Sequence, residues 1–175
     1  MALLASYPTR DKHFYLLASA WFVLLVGFVD DLKDLGVWVR ILIQILVCFI
    51  MIKGAGIYVE SLGDLFGFGE IYIGAWGIPF TIFAVIGLVN AINMSDGIDG
   101  LTGSLVLVDI IGIFDFLLIM AVTLIPYLLT NLTIVSGRKI FLGDAGSMFI
   151  GFILAWELIE LSQTPSKAIE PVGVI

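Results

Sequence analysis

Two carboxylates, an amide and two glycines lie within eight residues of the stretch Asn90-Ala91-Ile92-Asn93-Met94-Ser95-Asp96-Gly97-Ile98-Asp99-Gly100-Leu101. An apolar run precedes this stretch, and ionisable groups at the mouth of a membrane span cost free energy, so the cluster indicates a functional site. Asp96 and Asp99 share a face if the turn is helical, and paired carboxylates suit Mg²⁺ or Mn²⁺. The alternative is a polar turn between two spans, with an Asp capping a helix start.

The composition indicates an integral membrane protein. Of the 175 residues, 61% are hydrophobic, whereas soluble domains average about 45–50%. The net charge of −7 excludes a basic nucleic-acid surface. The single cysteine, Cys48, excludes an internal disulfide or a thiolate metal site. The single histidine, His13, precedes the first span, so no Ser-His-Asp set is available at the acidic clusters.

The pattern of apolar runs predicts an all-α integral membrane protein, a polytopic helical bundle of about six spans. The predicted spans are 14–29, 37–52, 78–92, two short spans within 101–135, and 148–161. One long helix over 101–135 is the alternative, and it would bury Asp109 and Asp115. We expect a short N-terminal segment at 1–13, a transmembrane core at 14–162 and a C-terminal tail at 163–175.

The glycine-rich stretch 54–77 connects the second and third predicted spans. It contains Glu60, Asp64 and Glu70 but no Lys or Arg, which is typical of the extracytoplasmic side. Weak alternation at Ile71-Tyr72-Ile73 is compatible with a short hairpin in this small loop.

A second acidic cluster, Asp30-Asp31-Leu32-Lys33-Asp34, follows the first predicted span. If the helix continues through it, the three carboxylates project to one side and repel, which a divalent cation or a metal–phosphate complex would relieve. The alternative is a solvated helix end. Arg40, inside the second span with Gln44 one turn further on, is placed to contact a phosphate near this cluster, with snorkelling alone as the alternative.

Counting the spans predicts which clusters meet. Two spans separate the Asp30 cluster from the Asp96 cluster, so both lie on the same membrane face. Asp144, in the glycine-flanked stretch 141–147, joins them if the region 101–135 crosses twice, and lies on the other face if it crosses once. The basic pair Arg138-Lys139 makes this shared face cytoplasmic by the positive-inside rule.

The clustered groups favour phosphoryl transfer. Acids supply a divalent-metal site and bases supply phosphate contacts, which are the main requirements of that chemistry, and the membrane location implies a lipid substrate. The competing hypotheses are a non-catalytic membrane protein that keeps the acids structurally, and a cation transporter. A transporter predicts acids in mid-span, whereas here only Asp109 is deep.

Three segments resemble, in order, motifs of the polyprenyl-phosphate N-acetylhexosamine-1-phosphate transferases, a glycosyltransferase 4 type: 29–34, 90–101 and 141–147. The resemblance covers residues 14 to 162, and the second and third motifs are closest to the N-acetylglucosamine branch. Trp38 stands where the family often has a basic residue. The resemblance implies further spans before residue 14 and a histidine-rich loop after residue 175, so we expect the chain to be the middle portion of such an enzyme.

The resemblance implies a reaction. Undecaprenyl phosphate attacks the sugar phosphate of a UDP-N-acetylhexosamine and releases UMP, with Mg²⁺ or Mn²⁺ as cofactor, in the synthesis of lipid intermediates for cell-envelope polysaccharide. It implies a multi-pass protein of the bacterial inner membrane with a cytoplasmic active face, and it leaves a homodimer open.

The resemblance also assigns roles to individual residues. The catalytic residues are Asp30, as the base for the lipid phosphate, Asp31 and Asp144. The metal ligands are Asp31, Asp96 and Asp144. The substrate-binding residues that it implies are Asn93, Asp96, Gly97, Asp99 and Arg40, and the basic residues Arg138 and Lys139 join them as phosphate contacts because of their charge on the same face.

Overall fold

The computed structural model is a helical bundle, and it describes residues 9–64, 67, 69–96, 125, 127–129, 131–132 and 141–163. Its long helices are α1 (Thr9–Lys33), α2 (Val37–Ile50), α3 (Gly77–Ser95) and α4 (Gly143–Gln163). A π-helical turn, Met51–Ala55, extends α2, and a 3₁₀ turn, Gly74–Trp76, leads into α3. The predicted helical membrane protein is confirmed at this level.

Four helices are long and apolar enough to cross a membrane within the ranges that the structure describes: Lys12–Lys33, Val37–Ala55, Gly74–Ser95 and Gly143–Gln163. They coincide with the predicted spans near residues 14, 37, 78 and 148, and each helix is longer than its apolar run. Large apolar side chains on their outer faces are exposed, including Trp21, Phe28, Trp38, Leu42 and Phe83. Lipid covers such faces at no hydrophobic cost. The two further spans predicted within 101–135 lie outside the described residues.

Helix α4 is the most buried of the four spans and packs against both α1 and α3. Glycines let the backbones approach. A Cβ on Gly27 of α1 would lie 2.4 Å from Ala145 Cα, and one on Gly151 of α4 would lie 2.9 Å from Val89 Cα. Small residues at helix contacts are the usual way to pack spans closely. The closer contact, between Gly27 and Ala145, lies near the end of α1 and at the start of α4. It therefore sets the distance between these two helix termini.

The glycine-rich connection between α2 and α3 contains one isolated antiparallel bridge, Ser61 with Tyr72, and no strand among its described residues. The predicted hairpin is thus reduced to a single bridge there. The Gln163 side chain binds the connection: its Oε1 accepts from Glu60 N and Ser61 N at 2.9 and 3.1 Å, and its Nε2 donates to Ser61 O at 3.0 Å. Thr81 Oγ1 accepts from Val59 N at 2.8 Å. Side chains of α3 and α4 therefore close this end of the bundle.

Candidate active site

Residues of all three sequence motifs meet at the first turn of α4. Asp31, near the end of α1, accepts hydrogen bonds from Asp144 N at 2.7 Å and Ala145 N at 3.2 Å. Asp96, directly after α3, accepts one from Gly143 N at 3.1 Å. The first N–H groups of a helix lack intrahelical partners and attract negative charge. Two carboxylates from distant parts of the chain therefore hold the same helix start.

Gly143 makes this arrangement possible in two ways. Its φ of +71° lies in the left-handed region, which glycine adopts without the steric penalty of other residues. A Cβ at this position would also lie 3.1 Å from both carboxylate oxygens of Asp31. The glycine before Asp144 is therefore needed for both the turn and the carboxylate contact.

Asp30 faces the interior of the bundle, with only 2% of the residue exposed. Its Oδ1 accepts from Leu35 N at 2.6 Å, and its Oδ2 accepts from Arg40 at 3.1 Å. Arg40 also lies 3.9 Å from Asp144 Oδ2. A charge inside a membrane span is costly unless it is paired. Arg40 is therefore held between two carboxylates, which corrects the alternative that it only snorkels.

Asp34 departs from the pattern predicted for its cluster. Helix α1 ends at Lys33, and Asp34 has a φ of +49°. Its N–H donates to Asp30 O at 2.8 Å, which closes the end of the helix. The prediction that three carboxylates share one helix face is therefore wrong: Asp30 faces inward, Asp31 reaches α4, and Asp34 lies beyond the helix.

Asn93 lies at the contact between α3 and α4. Ser147 Oγ approaches Asn93 Oδ1 at 2.7 Å and Gly143 O at 2.7 Å. A hydroxyl has one proton, so these two acceptors share it. Ser147 is fully buried. The side-chain amide of Asn93, a predicted substrate-binding residue, is thus oriented by Ser147 of the third motif, which lies one turn into α4.

Tyr127 is a site residue that the sequence reasoning missed. Its hydroxyl donates to Asp96 Oδ1 at 2.8 Å, while Gly143 N binds Asp96 Oδ2. Both carboxylate oxygens of Asp96 are therefore engaged, and the residue is only 7% exposed. The tyrosine follows Pro126 in an apolar stretch, and nothing in its spacing relates it to a motif that begins 37 residues earlier.

A second polar contact that the motifs do not predict joins α2 and α3. Asn90 Nδ2 donates to Gln44 Oε1 at 2.9 Å and to Ile86 O at 2.7 Å. Gln44 Nε2 is buried and has no hydrogen-bond partner among the described residues. Such a donor costs about 1–3 kcal/mol, whereas an interhelical hydrogen bond in a membrane returns about 0.6 kcal/mol on average. Among the described contacts, the cost of this donor is therefore not offset by the hydrogen bond.

The donor set is suited to a hard divalent cation. Asp31, Asp96 and Asp144 all lie at the first turn of α4, and carboxylate oxygens are what Mg²⁺ prefers. Within the described ranges, no three His, Cys, Asp or Glu side chains form a ready-made metal cluster. Mg²⁺ commonly uses one or two carboxylates and completes its shell with substrate phosphates and water. Asp31 is exposed and the Asp144 side chain is 33% exposed, so both are open to such a complex, whereas Asp96 is buried.

The predicted site residues Gly97, Asp99, Arg138 and Lys139 lie outside the described residues, as do Asp109 and Asp115. The structure nevertheless brings Asp96 and Gly143 within hydrogen-bond distance. Asp96 and Gly143 therefore lie at the same end of the bundle. The acids gathered there (Asp30, Asp31, Asp96 and Asp144) lie at helix ends, which is not the mid-span placement that a transporter predicts.

Fold and site together define a multi-pass helical membrane protein with an acidic site at one end of its bundle. A family model described as Glycosyl transferase family 4 matches residues 13–162. The chain therefore belongs to glycosyl transferase family 4, and the resemblance found in the three motifs is confirmed.

Relatives named undecaprenyl-phosphate alpha-N-acetylglucosaminyl 1-phosphate transferase match over the same segment. The protein from Yersinia pestis is 42% identical over 93% of this chain and 48% of its own length. The proteins from Escherichia coli O157:H7 and Haemophilus influenzae are each 39% identical, over 91% and 92% of this chain and 47% and 50% of their own. The chain thus spans about half the length of the relatives it matches.

Proposed function

We propose that the protein to which this chain belongs transfers N-acetylglucosamine-1-phosphate, or a related N-acetylhexosamine-1-phosphate, from a UDP-sugar to undecaprenyl phosphate and releases UMP. The convergence of three motif ends on the first turn of α4 is the observation that carries this proposal. The names of the relatives point to the same reaction. The product is a lipid intermediate of cell-envelope polysaccharide synthesis.

The proposed location is the bacterial inner membrane, with the site at the cytoplasmic face. The basic pair Arg138-Lys139 precedes α4, and the connection at the other end of the bundle, residues 54–77, has no Lys or Arg. This asymmetry is the positive-inside pattern. A UDP-sugar is a cytoplasmic substrate, so the orientation and the reaction agree. A second copy of the chain as partner stays a prediction.

The reaction exchanges one phosphoanhydride bond for another. An oxygen of the lipid phosphate attacks the β-phosphorus of the UDP-sugar, and the bond from that phosphorus to the bridging oxygen breaks. UMP leaves with the bridging oxygen, and the sugar phosphate stays on the lipid. The protein's tasks are to position both phosphates and to neutralise their charge.

Arg40 and Asp30 perform the first of these tasks in our proposal. Arg40 lies 3.1 Å from Asp30 and 3.9 Å from Asp144, so an incoming phosphate meets a cation already positioned in the site. Movement of the guanidinium onto the lipid phosphate releases Asp30 Oδ2. Asp30 then accepts the proton of the lipid phosphate as the base, with Asp31 in support.

A bound Mg²⁺ or Mn²⁺ supplies charge neutralisation for the diphosphate. Asp144 would hold the cation, and Asp31 and Asp96 would add oxygen atoms, since each carboxylate oxygen keeps a second lone pair beyond its hydrogen bond. In this proposal Asn93 and Asp96 bind the metal or the diphosphate, and Asp99 with Gly97 holds the nucleoside. Arg138 and Lys139 supply further phosphate contacts.

The first test is transfer of radiolabelled N-acetylglucosamine-1-phosphate to undecaprenyl phosphate, using membranes that carry this chain, with and without Mg²⁺. We expect lipid-linked product that depends on the cation and falls about 10²-fold or more in Asp144→Asn. Asp64→Asn is the matched control, because Asp64 is an exposed acid in the connection at the opposite end. Equal losses in both variants would contradict the proposal.

A chimera tests the site independently of how much protein surrounds it. Residues 13–162 replace the matching half of the Yersinia pestis relative, whose remaining half is kept. Transfer by the chimera, abolished by Asp144→Asn, would support a competent site. A correctly inserted chimera without transfer would count against the site itself.

A further inference from the structure

We propose that Gln44, through its bond to Asn90, is a positioning residue that keeps Arg40 in place between Asp30 and Asp144. The inference rests on the proposed function for its consequences in catalysis. Gln44 lies one helical turn from Arg40 on α2 and is only 4% exposed. It touches no reacting group and acts through its neighbour.

The orientation of the Gln44 amide follows from its partner. The Ile86 carbonyl can only accept, so Asn90 presents its NH₂ group there, at 2.7 Å. The same NH₂ group donates to Gln44 at 2.9 Å, so Gln44 must present its oxygen. Its own NH₂ group is left buried without a partner among the described residues. Leaving a buried donor unpaired costs more than one interhelical hydrogen bond returns, so the contacts among the described residues do not by themselves account for this glutamine.

The position of Gln44 accounts for its presence, because its hydrogen bond to Asn90 is one of the polar links between helices around the site. Arg40 joins α2 to Asp30 of α1 and approaches Asp144 of α4. Asn93, three residues after Asn90, joins α3 to Ser147 of α4. Gln44 with Asn90 joins α2 to α3. Without that link the rotation of α2 about its axis is held by apolar packing and by the Arg40–Asp30 pair alone among these polar links, so the position of Arg40 is less constrained.

Ser19 supplies a matched control. Its hydroxyl is also fully buried and without a hydrogen-bond partner among the residues that the structure describes. It lies on α1, eleven residues before Asp30, which is about 16 Å along the helix. Removing this group relieves the same kind of unpaired burial at a place remote from Arg40.

The experiment compares the unaltered chain, Gln44→Leu and Ser19→Ala in detergent. Three properties are measured: the thermal unfolding midpoint, the rate at which phenylglyoxal modifies Arg40, mapped by mass spectrometry, and transfer to undecaprenyl phosphate. We expect both variants to keep or raise the unfolding midpoint. We expect only Gln44→Leu to raise Arg40 modification severalfold and to lower transfer about tenfold or more.

Two results would overturn the inference: unchanged Arg40 modification in Gln44→Leu, or a loss of transfer matched by a fall in the unfolding midpoint. The second would make Gln44 a residue of stability alone. If the unaltered chain itself shows no transfer, the proposed function fails in this chain, and Arg40 modification still decides the role of Gln44. Faster modification in Gln44→Leu alone would then support it.

Discussion

The two ends of the bundle use their polar groups differently. At the site end, Arg40 pairs with Asp30 and approaches Asp144, while the carboxylates of Asp31 and Asp96 bind the first N–H groups of α4. At the other end, Lys12 pairs with Glu160 at 3.1 Å, and Gln163 binds the backbone of the connection before α3. Pairing of charge with counter-charge, and of amide with backbone, is sufficient to hold helices together. At the site end the four named carboxylates outnumber the one arginine that the structure describes with them, whereas at the other end Lys12 has Glu160 as its counter-charge, and this difference distinguishes the candidate site from the structural end of the bundle.

Removing Arg40 is expected to have the largest effect. Arg40→Ala leaves Asp30, 2% exposed, as a buried charge without its partner, and breaking a buried pair in this way costs about 3–5 kcal/mol. Transfer is lost with it. Thermal unfolding in detergent and the transfer assay measure both effects. Arg40→Lys, which keeps the charge, should recover part of the stability; an unfolding midpoint unchanged in Arg40→Ala would show that the ion pair does not hold α1 to α2.

The second largest effect is expected from adding a methyl group at the start of α4. Gly143→Ala forces a non-glycine residue to a φ of +71° and places Cβ 3.1 Å from the Asp31 oxygens, a strain of about 1–3 kcal/mol. We expect a lower unfolding midpoint and weaker transfer. Gly87→Ala is the control, since Gly87 is exposed on α3 with open space around it. If the two variants behave alike, the contact between Asp31 and α4 is not what holds the site.

Gln163→Ala tests the opposite end. The variant removes the hydrogen bonds to Glu60 N, Ser61 N and Ser61 O, and we expect a loss of about 1–2 kcal/mol. The connection before α3 should become more accessible to protease, while transfer per folded molecule stays unchanged. A large fall in transfer at an unchanged unfolding midpoint would mean that the two ends are not separate in function.

The smallest effect is expected at the Lys12–Glu160 pair. The side chains are 23% and 30% exposed, so solvent screens them, and Glu160→Gln should cost less than about 1 kcal/mol. Transfer should remain as in the unaltered chain. Comparing unfolding midpoints for Glu160→Gln and Arg40→Ala gives the contrast between the two ends directly. Similar losses in the two variants would remove that contrast.

Sequence reasoning succeeded where the membrane face of a residue follows from counting the spans before it. Because spans alternate direction, residues that follow α1 and α3 must emerge on one face, and the structure does bring Asp31 and Asp96 to the same helix start. An acid flanked by glycines also marked the third motif, where Gly143 and Asp144 begin α4. These features depend on chain direction and residue type, which the sequence states.

Sequence reasoning failed where an outcome depends on the rotation of helices about their axes. No spacing shows that Asp30 turns inward to Arg40 while Asp31 turns to α4. Three further features likewise depend on packing between helices: the positive φ at Asp34, the contact of Tyr127 with Asp96, and the hydrogen bond between Asn90 and Gln44. Whether a carboxylate binds metal, substrate or a backbone N–H group is decided by that packing.

The capping of α4 by Asp31 and Asp96 has a consequence for the order in which the bundle folds. Arg40 and Asp30 are ten residues apart, so they can meet as soon as α2 has formed. Asp31 must wait for Asp144, which is 113 residues later, and contacts between distant residues form late because chain closure costs entropy. During synthesis, Asp31 lacks its backbone partners until the first turn of α4 emerges, and Asp96 lacks its bond to Gly143 N. The site is therefore among the last parts of the described bundle to assemble.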